Sequence, residues 1–205
     1  MKIVKNKDYY HIQRFDCPHK WNVGNTFSFG NQNNHYANRF NNPGFVYATE
    51  TGEKIQILQS FYRIKSLLNT GNVSGIDLRK IVELIKVLRR FADDTLIVHR
   101  ENVFEEIRAK NFPNLPSRKR CIWLIPFNKE SLDFWVPRIP KRKIFQINAT
   151  GKVHNSSERF LLFEEYNSLE DIRQAAFSYW AGVEGESKDD EIIFEGVIEV
   201  IQEIK

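Results

Sequence analysis

Glu191 and Glu195 are the residues whose type and spacing point most directly to chemistry. They sit in Asp190-Glu191-Ile192-Ile193-Phe194-Glu195-Gly196. If that run is a strand, Glu191, Ile193 and Glu195 share one face. Carboxylates on a sheet face meet either water or a cationic site. A fixed carboxylate also stabilises the oxocarbenium-like charge that builds when a glycosidic bond breaks. Solvent exposure and catalysis stand as equal readings of this face.

Three other sets carry polar or aromatic groups in suggestive company. Asp8–Arg14 reads as a short aromatic strand, with Tyr9, His11 and Gln13 on one face and Tyr10, Ile12 and Arg14 on the other. A lone histidine is usually structural, but polar side chains on such a strand need partners. Pro116-Ser117-Arg118 joins a helix end to a strand. It reads as a turn with a surface charge, or as a strand edge offering a guanidinium fork to a phosphate. Tyr179-Trp180 closes the last clear helix before Gly182, and the pair reads as core packing or as the wall of a site for a flat ring.

The elements that must position these residues follow from periodicity. After the first strand, Phe15–Gly44 is rich in Asn, with Trp21, Phe27, Phe29, Tyr36 and Phe40 embedded in it. That composition predicts a long polar loop, and long loops in compact domains are often functional. Three helices are expected next, over about 52–69, 74–92 and 95–112. The second carries a stripe of Leu78, Ile81, Val82, Ile85, Leu88 and Ala92. In the third, Leu96, Val103, Phe104 and Ile107 turn inward and Glu101, Glu105 and Arg108 outward, with Pro113 and Pro116 beyond its end. A strand over Lys119–Ile125 and a helix capped by Asn128 follow. Then come a strand over Lys143–Ala149, a turn at Thr150-Gly151 and a short strand over Arg159–Phe163. Ser168 opens a helix, and two β-rich runs flank Gly196. The expected class is α+β, in one domain spanning 1–205 with a helical segment at about 52–112.

Composition narrows the function. The 205 residues are 41% hydrophobic and 27% charged, with formal charge +4, enough for a core without disulfides or a structural metal. The two cysteines, Cys17 and Cys121, form no CxxC pair, so no zinc spacing exists and no metal is expected. Cys121, in an apolar run, reads as a buried small hydrophobe. No signal-peptide pattern and no membrane-spanning run is visible, so a reducing cytoplasmic setting without membrane contact is expected. Arg118–Lys143 is basic and Glu184–Lys205 acidic. This contrast reads as solvated surface, or as a cleft where cations hold phosphates and acids do chemistry. Dinucleotide, P-loop, zincin and hydrolase-elbow signatures are all missing.

Four pieces in order resemble a bacterial family with the ADP-ribosyltransferase fold. They are Tyr10-His11-Ile12-Gln13-Arg14; Phe104-Glu105-Glu106-Ile107-Arg108 leading to Phe112-Pro113 and Leu115-Pro116-Ser117-Arg118; Tyr179-Trp180-Ala181-Gly182; and Glu191-Ile192-Ile193-Phe194-Glu195-Gly196. The resemblance implies a split mixed or antiparallel β-sheet with about three helices inserted after the first strand. It implies NAD bound as substrate in a cleft, and transfer of ADP-ribose to an acceptor that it leaves open: a protein, a nucleic acid, a small molecule or water. On it, His11 would hold a ribose, and the basic middle segment or Arg14 would meet the pyrophosphate. Ser117 and Arg118 would mark the middle strand, and Tyr179 would line the cofactor site. Glu191 would be the catalytic carboxylate, with Glu195 in reserve. The Ser-Thr-Ser and tight Glu-x-Glu patterns of such enzymes are not seen. Two other functions remain open: a nucleic-acid-binding protein using Arg118–Lys143 with Trp123, Phe127 and Trp135, and a catalytically inactive interaction domain built on Phe15–Gly44.

Overall fold

Alternating burial along two long strands organises the β part of the protein. The computed structural model describes residues 2–14, 20–40, 45–69, 78–162, 168–183 and 189–204. Two units emerge: residues 1–38 with 100–205, and residues 39–99.

The larger unit is built on strands β1 (Lys2–Arg14), β2 (Thr26–Phe29), β5 (Ile122–Pro126), β6 (Arg142–Ser157) and β7 (Asp190–Ile204). β1 pairs with β6 on one side and β5 on the other. β5 pairs with β7, and β7 runs back along β6, so these four strands close a circuit of antiparallel ladders. β2 adds to β7. On β6, Phe145, Ile147 and Ala149 are fully buried at every second residue, as a sheet with one apolar face requires. They join Tyr9, Leu124 and Phe194 in a first core cluster, capped by Trp21.

The opposite face is covered by the end of α3 (Leu78–Asn111) and by α5 (Leu169–Ala181). Phe104, Ala176, Tyr179, Trp180 and Ile193 form this second cluster, and the Trp180 indole N–H donates to the Phe104 carbonyl at 2.7 Å. Between them, α4 (Lys129–Trp135) starts where the Asn128 side chain accepts from the Ser131 amide at 2.8 Å. Ser168 caps α5 in the same way through the Asp171 amide, and Gly182 ends it in the left-handed conformation at φ 70°. Both caps match the sequence reading.

The smaller unit holds the hairpin β3 (Val46–Ala48) with β4 (Lys54–Gln56), then α2 (Ile57–Asn69) and residues 78–99 of α3. Its core comes from Ile57, Leu84 and Val87, with Phe91 against the rings of Phe45 and Tyr47.

Several expectations are corrected. The helices expected over 74–92 and 95–112 are one helix, α3. Asp93, Asp94 and Thr95 do not break it: the Thr95 hydroxyl donates to the Phe91 carbonyl one turn back, and Asp94 accepts from the Tyr47 hydroxyl. Its buried stripe runs through Leu84 and Val87, leaving Val82 and Ile85 exposed; Leu96 is exposed too. Glu101 and Arg108, expected outside, are buried. β6 passes straight through Thr150-Gly151 without a turn. There, Gly151 and Gly196 lie so close that a Cβ on either would meet backbone of the other strand under 3 Å. The short strand expected at Arg159 is a 3-10 turn over Glu158–Leu161, and Phe163 lies outside the described residues. The loop Phe15–Gly44 contains β2 and the short helix α1 (His35–Phe40).

Candidate functional site

Arg118 leaves a tight turn just ahead of β5. The amides of Arg120 and Cys121 both donate to the Ser117 carbonyl there. Only 4% exposed, Arg118 is surrounded by acceptors. Its Nε donates to Glu101 at 2.9 Å on α3, and its NH1 donates to the Tyr179 hydroxyl at 2.8 Å on α5 and to the Glu191 carboxylate at the start of β7. The Tyr179 hydroxyl in turn donates to Glu191 Oε1 at 2.5 Å. Arg100 completes the cluster, donating to Glu101 at 2.8 Å, to the Leu161 carbonyl at 2.5 Å and to the Tyr36 hydroxyl at 3.4 Å. The formal charges balance, two guanidinium groups against two carboxylates.

Electrostatics follow from this packing. Burial alone would lower the pKa of Arg118, but Glu101 and Glu191 hold it well above its ordinary value. Burial pushes the Glu101 carboxyl up, and Arg118 and Arg100 outweigh that and bring it below the usual range. Burial raises the Tyr179 phenol well above normal; Arg118 opposes the rise and Glu191 adds to it. Burial, with Glu101 next, pushes the Tyr36 phenol up to about 12. Both phenols therefore stay protonated at neutral pH, Tyr179 donating to Glu191 and Tyr36 accepting from Arg100.

Glu195 has a different task. Its Oε1 accepts from the Ser117 amide at 2.9 Å, while the Ser117 hydroxyl donates to Glu105 at 2.9 Å. Arg108 grips Glu105 and also donates to the carbonyls of Pro113 and Leu115. These bonds tie the chain from Pro113 to Ser117 down, so Glu195 and Ser117 shape the turn that aims Arg118.

The sequence reading expected His11, Arg118 and Glu191 to meet in one cleft. Arg118 and Glu191 do meet; His11 does not join them. Its ring stacks on Trp21 at 4.4 Å, on the face of the first cluster, and its Nδ1 bonds the Trp123 carbonyl at 3.0 Å. Glu191 shares its face of β7 with Ile193 in the second cluster, so a sheet separates the two residues. Burial, partly opposed by that carbonyl, lowers the His11 pKa to about 4. Arg14 is exposed at the end of β1, opposite Arg142. Cys121 is a free, buried thiol with its pKa raised by burial; Cys17 lies outside the described residues. Among the described residues there is no group of three or more His, Cys, Asp or Glu side chains arranged to hold a metal.

Sequence reasoning missed Glu101, Arg100 and Tyr36. One signal was available. Glu101, Phe104, Glu105 and Arg108 recur at the spacing of a single helix face, so the face that buries Phe104 must bury charge beside it.

From residue 9 to residue 205 the chain matches a family described as a protein of unknown function, DUF2441. It belongs to the DUF2441 family. The match takes in the whole Arg118 cluster, so Tyr36, Arg100, Glu101, Arg118, Tyr179 and Glu191 are part of the DUF2441 region. No curated protein matches the chain. Among the described residues, no helix of this DUF2441 protein is long and apolar enough to cross a membrane.

Proposed function

We propose that this DUF2441 protein is an NAD-using transferase of the ADP-ribosyltransferase type, with Glu191 as its working carboxylate. The observation that carries the reading is the seating of Glu191. One oxygen at the start of β7 accepts from both Tyr179 and Arg118, so the group keeps one orientation. In the proposed reaction the bond between the nicotinamide nitrogen and C1′ of the ribose breaks. The electron pair leaves with neutral nicotinamide, and positive charge spreads over C1′ and the ring oxygen. An acceptor nucleophile then bonds C1′ and gives up its proton. A carboxylate already oriented needs no reorganisation as that charge develops. Arg100 supports this arrangement by sharing Glu101, which leaves Arg118 one fork arm for Glu191. The ordered motifs of the resemblance support the same reading. His11 is left out of it, because it lies across the sheet.

The test is nicotinamide release from NAD by the purified chain, beside Glu191→Gln. Turnover that falls by about a hundredfold or more in the variant is the expected result, the scale of losing one fixed electrostatic group. Absence of release and of any NAD-induced rise in melting temperature at millimolar NAD would sink the reading.

One observation favours a second reading, a catalytically inactive interaction domain. Glu191 is 8% exposed and Tyr179 fully buried, and buried ion networks also serve to specify a fold. The nicotinamide assay separates the two. The nucleic-acid reading has less support, since Arg118 is buried and Lys143 pairs with Glu203.

A further inference from the structure

The Arg118–Glu191 pair is closed off from solvent, and any solute that uses it needs a way in. The elements around it differ in how firmly they are held. α5 anchors through Tyr179 and Trp180, both essentially fully buried, and α3 through Phe104. Strands β5 and β7 are bound in ladders. The segment from Gly30 to Asn38 is different: of its residues only Ala37 is buried. Segments with little buried apolar surface open at low free-energy cost.

Most of the hydrogen bonds from this segment to the turn come from one asparagine. The Asn34 side chain donates to the Arg118 carbonyl at 2.8 Å and to the Cys121 carbonyl at 2.9 Å, and its backbone amide donates to the Lys119 carbonyl at 2.8 Å. Its Oδ1 accepts from the Ala37 amide at 2.8 Å, which starts α1. The Gly30 amide adds a bond to the Arg120 carbonyl. Two residues beyond Asn34, Tyr36 sets its ring edge-on against Trp123 at 5.4 Å and accepts the long bond from Arg100. Trp123 in turn lies against the Arg118 guanidinium, at 5.7 Å.

We propose that residues 30–38 form a strap over the turn that carries Arg118, bolted by Asn34 and latched by Tyr36, and that its opening gives access to Glu191. The access step rests on the transferase reading; the strap itself does not. Polar bonds at the bolt and one aromatic edge at the latch make the closed state specific without a large apolar anchor.

Cys121 gives a readout that needs no substrate. It sits in the bolted turn, 1% exposed, with its thiol directed at the Arg118 carbonyl at 3.5 Å. In a Cys17→Ser background, a thiol reagent reports on Cys121 alone. Asn34→Asp keeps the oxygen that starts α1 and loses both donors to the turn. Its labelling is expected to be faster than the parent's by about tenfold or more under native conditions, with cooperative melting retained. Val200→Ala, a core truncation in the first cluster, controls for general loss of stability. Unchanged labelling in Asn34→Asp, or an increase no larger than that of Val200→Ala at equal stability, overturns the strap. Faster labelling in Asn34→Asp with no nicotinamide release by the parent keeps the strap and removes the transferase reading.

Discussion

The Tyr179 hydroxyl stands between Arg118 and Glu191, accepting from the first at 2.8 Å and donating to the second at 2.5 Å. Tyr179→Phe removes one donor and one acceptor from a buried network but leaves Arg118 and Glu191 facing each other. Loss of about 1–3 kcal/mol is expected from denaturant unfolding, the usual scale for an unsatisfied buried hydrogen-bond partner. If Glu191 carries the reaction, nicotinamide release falls less in this variant than in Glu191→Gln, because the carboxylate keeps Arg118.

Arg118→Met is expected to be far more damaging. Among the described hydrogen-bond partners, it leaves Glu101 with Arg100 and Glu191 with Tyr179. Breaking a buried ion pair by removing one partner costs about 3–5 kcal/mol. Thermal and denaturant unfolding should show a loss of that order, and a loss under about 1 kcal/mol would mean that water reaches the cluster freely.

Acid sensitivity should trace in part to His11. Its folded pKa of about 4 lies below the ordinary 6.5, so the unfolded chain binds the extra proton first. The stability this provides is complete above pH 6.5 and is lost as pH falls toward 4. A shift of that size is worth up to about 3 kcal/mol by linkage, less whatever solvent recovers at the partly exposed ring. His11→Phe should flatten the slope of stability against pH in that window. His154, whose pKa is lowered by burial, should keep a residual slope of the same sign.

Gly196→Ala tests the crossing of β6 and β7. Gly196 has φ 147°, and its Cβ would fall 2.5 Å from the Thr150 carbonyl oxygen. Gly151 has ordinary φ, but a Cβ there would fall 2.3 Å from the Glu195 oxygen. Backbone cannot yield as a side-chain tip does, so each substitution is expected to cost on the order of 3 kcal/mol or more. Circular dichroism melting would show it; a near-normal melting temperature for both variants would contradict the close approach.

How much of this was legible beforehand depended on how local the cause was. Asn128 and Ser168 could be read as helix caps because a cap is settled within four residues. The shared face of Glu191 and Ile193 followed from the period of a strand alone. The length of α3 was misread, because Asp94 and Thr95 look like a stop until the Tyr47 hydroxyl donates to Asp94 and the Thr95 hydroxyl donates to the helix's own Phe91 carbonyl.

Composition and periodicity by themselves determined an α+β chain, its capped helices, its apolar strands and the acidic face of β7. The meeting of Glu101, Arg118, Tyr179 and Glu191 was decided only by the tertiary structure, since these residues come from α3, a turn, α5 and β7. Whether a strand's polar face lies under a helix or in water depends on what packs over it, and no local pattern records that. For the same reason His11 could be placed on a face of β1, yet its separation from Glu191 emerged only when the four strands closed their circuit.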